Sequence, residues 1–114
     1  MPIALIIEYQ MGNTDSMKRA LEESGARVII GNEPHFFEEA THIILPGVGS
    51  FFQGMTNLNE MHITEQIKEQ VFVKEKPVLG VCLGMQMLAA KGTEGCEISG
   101  LGFIDGIVEL MVQK

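Results

Sequence analysis

Cys82 has the sequence setting of a reaction centre. The stretch Pro77-Val78-Leu79-Gly80-Val81-Cys82-Leu83-Gly84-Met85-Gln86-Met87-Leu88 runs an apolar strand into Gly-x-Cys-x-Gly and straight on into a helix. A nucleophile elbow requires that order. Glycines two before and two after the reactive residue relieve crowding at a sharp strand-to-helix turn and leave its side chain exposed on a strained backbone. Read this way, Cys82 is a nucleophile for a carbonyl carbon. The helix opening at about Leu83 sets its positive end and free N–H groups beside the sulfur, which favours thiolate over thiol. A cysteine flanked by glycines can also be a small buried hydrophobe, but strand, glycines and helix together argue for the elbow. Cys96, between Gly95 and Glu97 with no helix behind it, reads as structural or incidental.

Attack on a carbonyl needs donors for the developing oxyanion, and the backbone N–H after the nucleophile, that of Leu83, is the natural first one. The second has to come from another strand end. The loop Pro46-Gly47-Val48-Gly49 follows an apolar strand, and its glycines permit a turned-in amide at Val48 or Gly49. The same loop can be read as a plain strand-terminating turn. A base is also needed within hydrogen-bond reach. The three histidines are poorly placed for that: His35 lies in a polar connection, His42 begins a strand at the amino-terminal side of a sheet, and His62 precedes a helix. Each reads as a surface or satisfied histidine, so the chain carries a nucleophile without its base. The two cysteines show no metal-ligand spacing, and no metal or cofactor is expected.

These residues need a frame. Ile3-Ala4-Leu5-Ile6-Ile7 is a continuous apolar run, the pattern of a strand covered on both faces. A helix opens near Asn13-Thr14-Asp15, carries Met17, Ala20 and Leu21 on one face and stops at Gly25. Strands follow over 27–30 and 42–45, then a helix over about 63–74 with Ile63, Ile67 and Val71 at i+4 spacing. After the strand at 77–81, residues 83–90 read as a helix closed near Gly92, and 107–112 as a last strand with nothing visible to cover it. Alternating strands and helices predict an α/β fold with a mostly parallel sheet flanked by helices, because parallel neighbours need crossover connections. Ligands in that class bind beyond the carboxyl ends of the strands, where both the elbow and the 46–49 loop fall.

The 114 residues carry 15 acidic and 8 basic side chains, a net charge of −7, and are 46% hydrophobic. That composition describes one small globular domain and excludes a disordered acidic tail. No basic run is longer than Lys18-Arg19, so nucleic acid is not an expected partner. No apolar stretch approaches the length of a membrane span, and the first residues lack a secretory signal. A cytoplasmic protein is expected, and two cysteines suit a reducing compartment.

Three blocks carry a resemblance to a known family: Met11-Gly12-Asn13 after the first strand, Leu45-Pro46-Gly47-Val48-Gly49-Ser50-Phe51, and Gly80-Val81-Cys82-Leu83-Gly84-Met85-Gln86-Met87-Leu88. A weaker fourth is Gly100-Leu101-Gly102-Phe103-Ile104-Asp105-Gly106-Ile107-Val108. Together they resemble the amino-terminal part of class I (triad) glutamine amidotransferases, and among these the glutaminase subunits of imidazole glycerol phosphate synthase. The cysteine block marks the superfamily; the Pro-Gly-Val-Gly loop with Met-Gln after the elbow points to those subunits. The resemblance implies a flavodoxin-like fold, incomplete at the carboxyl end, with residues 1–114 forming the amino-terminal part of a single amidotransferase domain. It implies that Cys82 attacks the side-chain amide of glutamine, giving a glutamyl thioester and ammonia, and that the ammonia passes to a partner cyclase with a (β/α)8 barrel. By the same resemblance Val48 and Leu83 supply oxyanion donors, Gly49 and Gln86 contact glutamine, and Asn13 faces the partner.

Two departures from the family pattern stand out. Gln10 occupies a position where the family has glycine, so a turn needing positive φ there is strained by roughly 1 kcal/mol or more. The family's catalytic His and Glu lie in a later His-Pro-Glu block that these residues do not contain, so the 114 residues alone are expected to be nearly inactive. A short, non-catalytic relative that binds glutamine or a partner is the reading from another class. A cysteine hydrolase with another substrate is a third, and Met-Gln after the elbow favours glutamine over it.

Overall fold

The computed structural model describes residues 2–11, 14–92 and 98–108. Strand β1 (Ile3–Ile7) and strand β3 (His42–Leu45) form the centre of a four-stranded parallel sheet, with β2 (Arg27–Gly31) and β4 (Val78–Gly80) outside them in the order β2-β1-β3-β4. Register places Leu5 opposite both Ile29 and Ile43, and Leu45 opposite Gly80. The continuous apolar runs have the expected consequence. Leu5, Ile7, Ile43 and Leu45 point into the larger core, while Ala4, Ile6 and Ile44 point to the opposite face.

Helix α1 (Thr14–Glu23) crosses from β1 to β2 over the second face, where Met17 and Leu21 rest on the smaller cluster. Helices α2 (Pro34–Glu39), α3 (Phe51–Glu60) and α4 (Thr64–Lys68) belong to the other connections, and Phe37, Phe51, Met55, Leu58 and Ile67 bury themselves in the larger core. The strands expected over 3–7, 27–30, 42–45 and 77–81 are found, and α1 starts and stops where its cap and Gly25 predict.

The helical assignments need correction. The helix expected over 63–74 is α-helical only over Thr64–Lys68 and continues as a π-helical turn, Glu69–Val73, which tucks Gln70 into the interior to donate to Glu38 Oε1 at 3.1 Å. Helices α2 and α3 were not anticipated. Pro34 opens α2 at its first turn, and Ser50 caps α3 by accepting the Gln53 N–H at 3.0 Å.

The helix after Cys82, α5 (Leu83–Met87), ends three residues before the expected Ala90. Residues Ala89–Gly92 form β5 instead, pairing antiparallel with β6 (Ile98–Ser99) and parallel with β7 (Ile104–Val108) in a second, three-stranded sheet. Ala89 and Ala90 favour helix, but their carbonyls are taken by the Gly102 and Gly100 N–H groups. Tertiary pairing overrides propensity there. Of the last strand expected over 107–112, residues 107–108 close β7, which starts earlier at Ile104, and residues 109–112 lie outside the described part.

Candidate active site

Strand β4 ends at Gly80, and two residues later Cys82 has φ 55° and ψ −118°, a left-handed conformation that costs a non-glycine residue on the order of 1–3 kcal/mol. Its side chain is exposed. The flanking glycines are required by contact. A Cβ on Gly80 would stand 2.7 Å from the Gly84 carbonyl oxygen and from the backbone of Met85, and a Cβ on Gly84 would collide with the Leu45 carbonyl. The Met85 and Gln86 N–H groups both donate to the Cys82 carbonyl, at 3.0 and 3.3 Å, so the turn passes directly into α5. The sequence expectation of an elbow at Cys82 describes this geometry.

The 46–49 loop leaves the carboxyl end of β3 beside the elbow, because β3 and β4 are parallel neighbours. Backbone bonds bind the two: Val81 N–H donates to Leu45 O, and Leu83 N–H to Gly47 O, each at 3.0 Å. On its other side the loop meets the residues after β1. Val48 N–H donates to Met11 O at 2.7 Å. The buried Tyr9 hydroxyl donates to Pro46 O, and Tyr9 O accepts from Asn57 Nδ2 on α3 at 3.0 Å. Burial pushes the Tyr9 phenol well above its ordinary range, so it stays protonated and remains a donor.

Both expected oxyanion donors are therefore engaged with carbonyls, and one peptide unit connects them. The Gly47–Val48 peptide presents its C=O to Leu83 and its N–H to Met11. Gly49, at φ +115°, has a backbone that favours glycine, and a Cβ there would stand 3.0 Å from the Met11 methyl. Gln86 is exposed on α5, one turn past Cys82. Asn13 and Cys96 lie outside the described residues.

The histidines stay away from the thiol. Register puts His42 five residue steps back from Cys82 along β3 and β4, roughly 16 Å at strand rise. His35 follows β2, three strand positions from β4, roughly 14 Å across the sheet. His62 lies after α3, which runs back toward the amino-terminal ends of the strands. Among the described residues there is no group of three or more His, Cys, Asp and Glu arranged to hold a metal, and no helix long and apolar enough to cross a membrane.

Sequence reading missed Tyr9, Met11 and Asn57. Tyr9 and Met11 follow the carboxyl end of β1, the end of a parallel sheet where sites are built, and Tyr9 is the single tyrosine of the chain. Gln10, between them, has φ 68° and its N–H bonded to Glu8 Oε1 at 3.0 Å. The strain expected at this position is present.

An α/β sheet carrying an exposed cysteine elbow beside a glycine loop defines a class, and sequence comparison identifies it: residues 5–109 match glutamine amidotransferase class-I, and the chain belongs to that family. It is 47% identical over 103 residues to the imidazole glycerol phosphate synthase subunit HisH 1 of Campylobacter jejuni, covering 90% of this chain and 51% of that protein. It is 43% identical over 110 residues to subunit HisH of Streptococcus mutans, covering 96% and 54%. The chain thus spans about half the length of these curated relatives. A solved glutamine amidotransferase structure superposes with a TM-score of 0.76 at 22% identity, over 92% of this chain and 55% of that one. A putative peptidase E from Listeria monocytogenes superposes with a TM-score of 0.67 at 17% identity, over 79% and 50%. These two likenesses establish the fold.

Proposed function

We propose that the chain is the amino-terminal part of a glutamine amidotransferase domain that serves as the glutaminase subunit of an imidazole glycerol phosphate synthase in histidine biosynthesis. The observation that carries this reading is Cys82, exposed at φ 55° between two glycines that contact leaves no room to replace. Identity of 41–47% to subunits of that synthase adds the substrate class. Cys82 Sγ attacks the side-chain amide carbon of glutamine while its proton passes to a base. The amide nitrogen leaves as ammonia as the thioester forms, and water then releases glutamate. By the family resemblance, the base is a histidine in the later His-Pro-Glu block.

The remaining roles follow from the same reading. Val48 and Leu83 supply the oxyanion donors once the Gly47–Val48 peptide has turned, Gly49 and Gln86 contact glutamine, and Asn13 faces the partner. That partner is a cyclase with a (β/α)8 barrel that receives the ammonia, and the complex works in the cytoplasm.

The test is glutamate release by the complete chain together with its cyclase. Turnover that disappears in Cys82→Ser, by a factor of about 1,000 or more, supports the reading. A complete chain that binds the cyclase but never hydrolyses glutamine overturns it in favour of a binding module.

A further inference from the structure

We infer that Tyr9 is a positioning residue for glutamine hydrolysis: its hydroxyl anchors the Pro46 end of the 46–49 loop, so that the Gly47–Val48 peptide is the part free to turn. The inference rests on the glutaminase reading and extends it. Three backbone groups of the loop have different kinds of partner. Pro46 O is held by a side chain, the Tyr9 hydroxyl, whereas Gly47 O and Val48 N–H are held by the backbones of Leu83 and Met11.

The side-chain anchor is enclosed. Tyr9 and Pro46 are buried, as are Gly47 and Leu83, while Val48 is 63% exposed. Tyr9 is itself fixed from behind, since Asn57 Nδ2 donates to its carbonyl and Gln53 Nε2 holds Asn57 Oδ1 at 2.7 Å. The phenol fills the space that a Cβ on Gly47 would take, so it packs against the Gly47–Val48 peptide. Turning that peptide releases the Leu83 N–H and swings the Val48 N–H off Met11 together, but the two donors converge on one oxygen only if the loop's other end holds still. An oxyanion donor displaced by about 1 Å costs on the order of a hundredfold in rate.

The experiment uses the complete chain with its cyclase, comparing Tyr9→Phe with the unsubstituted protein. Expected is a kcat for glutamine hydrolysis lower by about tenfold to a hundredfold, with KM for glutamine within about twofold, because the interaction matters only in the transition state. Iodoacetamide should alkylate Cys82 at an unchanged rate, since the elbow does not depend on the phenol. Amide exchange, which needs no activity, should accelerate at Gly47 and Val48 and not at Leu5 or Ile43.

Unchanged kcat and unchanged exchange at Gly47 and Val48 overturn the inference. So does a fall in kcat matched by slower alkylation and faster exchange throughout the sheet, which marks a purely structural tyrosine. If Tyr9→Phe does not fold, Asn57→Ala frees the tyrosine from behind and is judged by the same split. An unsubstituted protein that hydrolyses no glutamine tells against the glutaminase reading instead, and the exchange at Val48 then decides the anchoring.

Discussion

The Val48 N–H and the Met11 carbonyl lie 2.7 Å apart, joining the loop after β3 to the segment after β1. The amide that sequence offers as a second oxyanion donor is thus bonded to a backbone carbonyl in this conformation. Trapping Cys82 with a chloroketone analogue of glutamine should break that bond. The expected signature is a changed Val48 amide resonance and faster exchange in the trapped complete chain than in the free one. An unchanged Val48 amide would show that the oxyanion is held by other groups.

Gly84 tolerates no side chain. A Cβ there collides with the Leu45 carbonyl of the neighbouring strand, and neither backbone can move without breaking the bond from Val81 N–H to Leu45 O. Gly84→Ala should cost at least about 3 kcal/mol. Urea denaturation of the complete chain measures this; a loss below 1 kcal/mol would mean the elbow can be rebuilt.

Gln10 sits at φ 68° with its N–H on the Glu8 carboxylate. Gln10→Gly should relieve the left-handed strain, and after the larger backbone entropy of glycine is set against it the net gain is about 0.5–1 kcal/mol. A denaturant midpoint that moves down instead would indicate that the glutamine side chain itself stabilises the turn.

Ser50 accepts the Gln53 N–H at the start of α3. Ser50→Ala should cost about 1 kcal/mol, and Ser50→Asp should retain most of the stability. Equal stability of the alanine and aspartate variants would count against the cap.

The parts of this fold that could be read from sequence are those in which local chemistry and tertiary structure agree. Residues 3–7 and 43–45 are continuous apolar runs because both sheet faces are covered, and the glycine spacing around Cys82 follows from the contacts at Gly80 and Gly84. Helix α3 also left a signal, Ser50-x-x-Gln53 with Phe51, Met55 and Leu58 on one face. Gly54, Asn57 and Asn59 obscured it, being poor helix formers. Gly54 is small because a Cβ would press to 2.7 Å from Met87 Sδ, and Asn57 is polar because it holds Tyr9 O.

Other features were illegible for a physical reason. Ala89–Gly92 is a strand because β6 and β7 bond to it, which local propensity does not encode. The bonds from Val48 to Met11 and from Tyr9 to Pro46 depend on how two loops from separate strands meet in space.

The left-handed backbone at Cys82 also bears on how this protein would fare under laboratory selection. Glycine would relax that conformation, so Cys82→Gly should fold at least as stably as the parent while being unable to react. A library sorted for thermal tolerance alone would therefore accept glycine at position 82 and come out sturdier but inert. Sorting must include a readout of the thiol, because at this residue durability and reactivity pull the sequence in opposite directions.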